Sequence, residues 1–366
     1  MRTLRQLTTV ACISLTLATQ AITAVTYRIT DLSPVLAATA TPIRINNAGQ
    51  IVGYSNPSST VGFLYTPGVG VVQISSLGGT GSYACGINNL GQVSGDAGTS
   101  DGGWHAFVYT PGSPLADLGT LGGSTSRAGG INDAGQVVGY SYTSNSKTHA
   151  FLYTPGTGMT DLGTLGDSNS YSSAASINAS GVVVGQSDLP HYTATHAFVY
   201  QPGTGLVDLG TLGGTVSNAL AISDSGYIVG WSRTSPGGPI HAFRWTTASG
   251  MVDLGTLPGR SGSTACYVNN AGQAVGGSGT DEQSNAHAVL FQPDGTLVDL
   301  GTLGGAESAA YAINDSGQIV GWANTKTGEK HPVMWEIIPE PSSLFALLAG
   351  LAGFGAVIRR RSGLRN

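Results

Sequence analysis

The chain has 366 residues, of which 56 are glycine and only 10% are charged, against about 25% in an ordinary soluble domain. Fifteen Lys and Arg stand against twenty Asp and Glu, so the basic footprint of a nucleic-acid binder is missing, and the glycine content disfavours a helix-rich fold. The hydrophobic share of 40% is enough for a core and excludes a disordered chain.

In chain order, Arg2 and Arg5 precede a mildly apolar stretch from Leu7 to Ala18, and small residues follow at Ala21 and Ala24. That order predicts a secretory leader over residues 1–24, handled by Sec export and signal peptidase. Cys12 leaves with it.

From Tyr27 onward three signatures recur every 42–47 residues. The first, HAF-x-Y with a TPG-type turn, stands at His105, His149, His196 and His241, with weaker copies at His287 and His331; Val61-Gly62-Phe63 fills the slot without histidine. The second, DLGTLGG, starts at Asp117, Asp161, Asp208, Asp253 and Asp299, with looser copies at Asp31 and Gln73. The third, IN-x-x-GQ-V-V-G, places Asn46, Asn88, Asn132, Asn178, Asn269 and Asn314, with Ser223 once. Each signature occurs seven times.

Each repeat supplies four short β-rich runs bounded by turn residues: the run ending in Ile-Asn, then Gly-Gln-Val-Val-Gly, then His-Ala-Phe-Val-Tyr, then the run into Asp-Leu-Gly. Four strands joined by tight turns form an antiparallel meander, and the expected fold is an all-β, seven-bladed β-propeller over residues 25–337. The run Val25–Leu32 reads as a lone fourth strand, and His331–Glu336 as a third strand lacking its fourth. The N-terminal strand is therefore expected to complete the last blade and close the ring. HAF-x-Y-x-P-G together with DLGTLGG resembles the HAF repeat family of bacterial extracellular proteins, from Tyr27 to about Trp335. The resemblance implies an extracellular location and a repeat architecture, and little chemistry.

The histidine ring suggests a metal, but equivalent slots on adjacent packed sheets lie on the order of 10 Å apart, while metal–nitrogen bonds are about 2 Å. The expected role is instead a buried hydrogen bond per repeat, with the repeat Asn and Asp as partners. No cofactor or metal site is expected. The repeat aspartates, with Asp133, Asp224 and Asp315, read as turn and strand-end acceptors. Cys85 and Cys266 share one otherwise apolar slot, three residues before a repeat Asn, and are expected to be free, buried thiols. No Ser-His-Asp arrangement, phosphate loop, EF-hand or other catalytic pattern appears.

Candidate ligand contacts fall on the least repetitive segments, the loops from VVG to HAF. They hold Asp101, Trp104, Tyr142, Lys147, Asp188, His191, Tyr192, Arg233, Asp281, Glu282, Lys326 and Lys330, a mixture suited to sugar or protein recognition. The alternative is a secreted hydrolase or lyase acting on carbohydrate, for which Asp188, Asp281 and Glu282 are the only loop acids to nominate.

The C-terminus has three parts: Pro339-Glu340-Pro341, a 16-residue uncharged apolar run from Ser343 to Ile358, and Arg359, Arg360 and Arg361. Flanking arginines let a short run span a bilayer, and the positive-inside rule keeps them in the cytoplasm. This tail, residues 338–366, resembles the PEP-CTERM sorting signal of Gram-negative bacteria. The resemblance implies recognition and removal by an exosortase-type membrane protease, transient inner-membrane anchoring, and display at the cell surface or in the extracellular matrix. The expected function is thus an exported, non-enzymatic module that binds exopolysaccharide or a surface protein. Without both end segments nine cations face nineteen carboxylates, a net charge of −10.

Overall fold

A computed structural model describes residues 26–55, 60–279 and 286–338. The leader, Asp281, Glu282, Pro339, Glu340, Pro341 and the three tail arginines lie outside the described residues. The chain is all-β with a propeller arrangement; two short helical turns, Ser33–Leu36 and Pro190–Tyr192, occur among the described residues.

Each repeat forms its meander. The first runs through Ala40–Ile45, Ile51–Ser55, Val61–Thr66 and Gly70–Ile74, paired in that order. The first strands contact one another around the axis, the last returning to the first. The expectation of seven separate four-stranded blades is corrected: five sheets stand alone as four-stranded blades, and residues 78–163 form one eight-stranded sheet. The join is a parallel bridge between Thr125 and Trp104. The same bridge, Thr195 to Val216, recurs further on but stays isolated, because there the inner strand begins only at Ser217. In the joined pair the inner strand, Gly122–Ile131, starts early enough to include it.

Ring closure follows the expected route. Tyr27–Asp31 pairs antiparallel with the last strand, Lys330–Ile337, with Tyr27 opposite Ile337 and Asp31 opposite Val333. Arg28 reaches Glu336 at 2.8 Å, and Ile338 N–H donates to Thr26 O at 2.8 Å.

The core lies between sheets. The HAF phenylalanines Phe107, Phe151, Phe198 and Phe243 are fully buried, and each packs with apolar residues of a neighbouring repeat. The VVG glycine has a different cause: a Cβ at Gly139 would lie 1.9 Å from the carbonyl oxygen of Arg127, and the same clash recurs at Gly53, Gly95, Gly185, Gly230, Gly276 and Gly321. Only glycine lets the two strands approach so closely. Beside each of these contacts the inner strand carries a bulge, at Ile43, Cys85, Gly129, Ala175, Leu220, Cys266 and Tyr311. A bulge re-aims its residue. The cysteines are free, but they are half-buried on these bulges rather than sealed in the sheet, which corrects the expectation for that slot.

Candidate functional site

The signature residues serve the frame. Nδ1 of each histidine meets the carboxylate of the aspartate twelve residues on: His105 with Asp117, His149 with Asp161, His196 with Asp208, His241 with Asp253 and His287 with Asp299, at 2.7–3.0 Å. His331 finds Asp31 across the ring closure at 2.8 Å. These aspartates are partly exposed, so the pairs lie at the sheet surface rather than in the core. The repeat asparagines tie the repeats together: Asn46 Nδ2 donates to Asn88 O, Asn88 to Asn132 O, and so on until Asn314 donates to Asn46 O. Ser223 is the one member that is not an asparagine. Asp133, Asp224 and Asp315 accept backbone N–H bonds from the preceding repeat.

Most loop candidates are committed to partners in their own loop or in the link beside it. Asp101 accepts from the Thr99 hydroxyl and from Gly103 N–H, and the Thr99 bond holds its carboxyl below the ordinary range. Asp188 accepts from Tyr171 N–H and the Thr195 hydroxyl. His191 and Tyr192 both have left-handed backbones, φ 59° and 55°. His191 Nδ1 lies 3.4 Å from Asp167, and Tyr192 OH donates to Asn169 O, so these four form one local cluster. Arg233 donates to Gly238 O, and Tyr142 is exposed. Lys330 lies 4.1 Å from the ring centre of Trp322. Trp104 is the candidate that reaches inward: Arg127 stacks on it at 4.5 Å, and Tyr83 lies 5.7 Å away.

The residues around Trp104 come from columns the loop argument passed over. Opposite the VVG glycine step, one inner-strand residue pairs with the residue after that glycine. The pairs are Thr41 with Tyr54, Tyr83 with Asp96, Arg127 with Tyr140, Ser173 with Gln186, Asn218 with Trp231, Thr264 with Gly277, and Ala309 with Trp322. These two columns vary from repeat to repeat, while the VVG glycine beside them is constant. Aligning the repeats on Asn and VVG would have exposed them.

Two successive pairs and Asn218 of the next line a cavity of ≈ 250 Å³, through Arg127, Tyr140, Ser173, Gln186 and Asn218. Tyr140, Ser173, Gln186 and Asn218 make no side-chain hydrogen bond among the described residues. Arg127 is fixed by Asp96 at 2.5 Å. Burial pushes the Asp96 carboxyl up, against the pull of Arg127, and Cys85 Sγ lies 3.7 Å from it. Burial likewise raises both thiols, Cys266 to about 11. Next to the cavity runs an aromatic arc, Tyr54 edge-on to Tyr83 at 5.1 Å and Tyr83 beside Trp104. Uncommitted amides and hydroxyls beside aromatic faces can take a hydroxyl-rich ligand.

Comparison with known proteins places the tail first. The family described as the PEP-CTERM protein-sorting motif matches residues 338–361. This motif implies export, processing by an exosortase-type membrane enzyme, and transient membrane anchoring before surface display. No curated protein matches the chain, and the resemblance of the repeats to the HAF family finds no support. Among solved structures, the chain is similar to virginiamycin B lyase from Staphylococcus aureus, at 10% identity and TM-score 0.54, covering 86% of this chain and 100% of the other. It is similar to an acylaminoacyl peptidase from Pyrococcus horikoshii at 10% identity and TM-score 0.55, covering 86% of this chain and 55% of that one. TolB from Acinetobacter baumannii is matched at 13% identity and TM-score 0.43, over 67% of this chain and 63% of TolB. At such identities the two likenesses above 0.5 show the fold alone. No described helix is long and apolar enough to cross a membrane.

Proposed function

We propose that this is an exported, non-enzymatic sugar-binding module, sorted through its tail and displayed at the cell surface or in the extracellular matrix. In this reading residues 1–24 are the leader, residues 25–337 the binding domain and residues 338–366 the sorting segment. The observation that carries the reading is the cavity of ≈ 250 Å³ with four polar side chains that no internal partner claims. Polar groups left open beside aromatic rings favour a polyhydroxylated ligand over an apolar one. A carbohydrate hydrolase needs two carboxylates about 5–10 Å apart. The inward columns hold one, Asp96, and Arg127 already pairs with it.

The test is a glycan array probed with the full-length chain in detergent, followed by calorimetry on the hits. Replacing Gln186 and Asn218 together by alanine is expected to weaken binding about tenfold or more, two lost hydrogen bonds being worth roughly 1–3 kcal/mol. Asp101→Ala is expected to leave affinity unchanged. Failure to bind any glycan, the host exopolysaccharide included, would refute the proposal.

A further inference from the structure

We infer that the sugar held in the cavity of Tyr140, Ser173 and Gln186 carries a carboxylate, and that Arg44 receives it. The inference rests on the sugar-binding reading above and names the class of sugar.

Two residues before the repeat Asn, the inner strands carry Gly86, Gly130, Ser176, Ala221 and Ala312. In the first and sixth repeats the same slot holds Arg44 and Tyr267, and these two side chains meet, with the guanidinium 4.9 Å from the ring centre. The seventh repeat lies between them in the ring, so the contact spans part of the channel and forms a floor. A second, smaller cavity lies against this floor, lined by Arg44, Tyr267, Gly130 and Ala175. It shares Ala175 with the larger cavity. The two are therefore consecutive along the axis, and a ligand entering past Tyr140 and Gln186 approaches Arg44 next.

Arg44 is electrically incomplete. Its side chain makes one hydrogen bond, NH1 to Ile43 O at 2.9 Å. No carboxylate lies within ion-pair distance of it among the described residues, although nineteen of the chain's carboxylates fall between residues 25 and 338. Arg127, in the larger cavity, has Asp96 for that purpose. A guanidinium carries five donors in a planar fork, and a partly desolvated one is best matched by a carboxylate. The acidic residue lies between the two cavities, beside the Arg44–Tyr267 contact. Its hydroxyls meet Ser173, Gln186 and Asn218, and its carboxylate meets Arg44.

The experiment is calorimetry of the full-length protein in detergent with the methyl glycosides of glucuronic and galacturonic acid, each against its neutral parent, glucose or galactose. At least one acid is expected to bind about tenfold tighter than its parent, as a charge-assisted hydrogen bond predicts. Arg44→Gln should abolish that preference while neutral-sugar binding and the melting temperature hold; Arg44→Lys should keep part of it. Equal affinity for acid and parent overturns this inference and leaves the neutral-sugar site standing. A preference that survives in Arg44→Gln overturns it too. No binding of any of the four sugars overturns this inference, and the sugar-binding reading is then decided by the glycan array alone.

Discussion

The asparagine ring offers the sharpest stability test, because one member is naturally different. Asn132 Oδ1 accepts from Ala134 N–H at 3.2 Å and Gln136 N–H at 3.0 Å. Its Nδ2 donates to Gln136 Oε1 at 2.9 Å and to Asn178 O, in the next repeat, at 3.0 Å. Asn132→Ala removes all four. At about 1 kcal/mol per neutral bond, and with the two turn N–H groups partly recovered by water, the expected loss is about 2–4 kcal/mol. For a domain this size that lowers the melting temperature by roughly 3–6 °C. Ser223 shows what serine can do in this slot: its Oγ accepts from Tyr227 N–H at 3.2 Å, with no bond to the next repeat. Asn132→Ser should therefore cost about half as much as alanine. Ser223→Asn should add a donor toward Asn269 O and stabilise by about 1 kcal/mol. Equilibrium urea unfolding and calorimetry measure all three. If Asn132→Ala falls within about 0.5 kcal/mol of wild type, or if serine costs as much as alanine, the ring is not a source of stability.

Two further outcomes follow from the closure and the glycine step. The Asp31 carboxyl is raised by burial, but the bonds from His331 and Ser33 outweigh that and leave it below its ordinary value; Arg28 and then Gln318 hold Glu336 low. Both carboxyls are depressed in the folded state, so their stabilisation is full above the unfolded value and is lost as pH falls below about 4. Hydrogen exchange should show the amides of Tyr27–Asp31 losing protection at pH 3 after correction for intrinsic rates, and Asp31→Asn should flatten the pH response; unchanged protection at pH 3 would contradict the assignment. Gly139→Ala should destabilise by about 3 kcal/mol, since its Cβ meets the Arg127 carbonyl at 1.9 Å. Gly156→Ala, at φ +79° in open space, should cost only about 1 kcal/mol, and equal costs in urea unfolding would refute the close-approach argument.

The repeat pattern made the strands legible because each turn carries its own residues, Asn-x-x-Gly or Pro-Gly, and each strand its own alternation. It made the closure legible as well, since Tyr27–Asp31 is a fourth strand without a third. The joined sheet was not legible: it depends on one bridge at Trp104, set by where a neighbouring strand happens to begin. The cavity was missed for a different reason. The loops vary too, but Asp101 bonds within its own loop and Tyr192 OH bonds to Asn169 O in the link before the neighbouring strand. The informative variation lies inside strands, where period-two alternation turns Arg127, Ser173 and Asn218 inward beside their cross-strand partners. Cys85 and Cys266 were misplaced because a bulge breaks that alternation at their slot.

The pairing of Tyr27–Asp31 with Lys330–Ile337 also fixes how the molecule is held up to its surroundings. Strands of the HAF type run from the loop side toward the Asn turns, so Ile338 leaves the domain on the Asn-turn side, and Thr26 lies hydrogen-bonded beside it. The sorting motif starts at residue 338. A tether through that tail therefore attaches on the side of the Asn turns, and the loops from the VVG strands to the HAF strands lie at the other end of the domain.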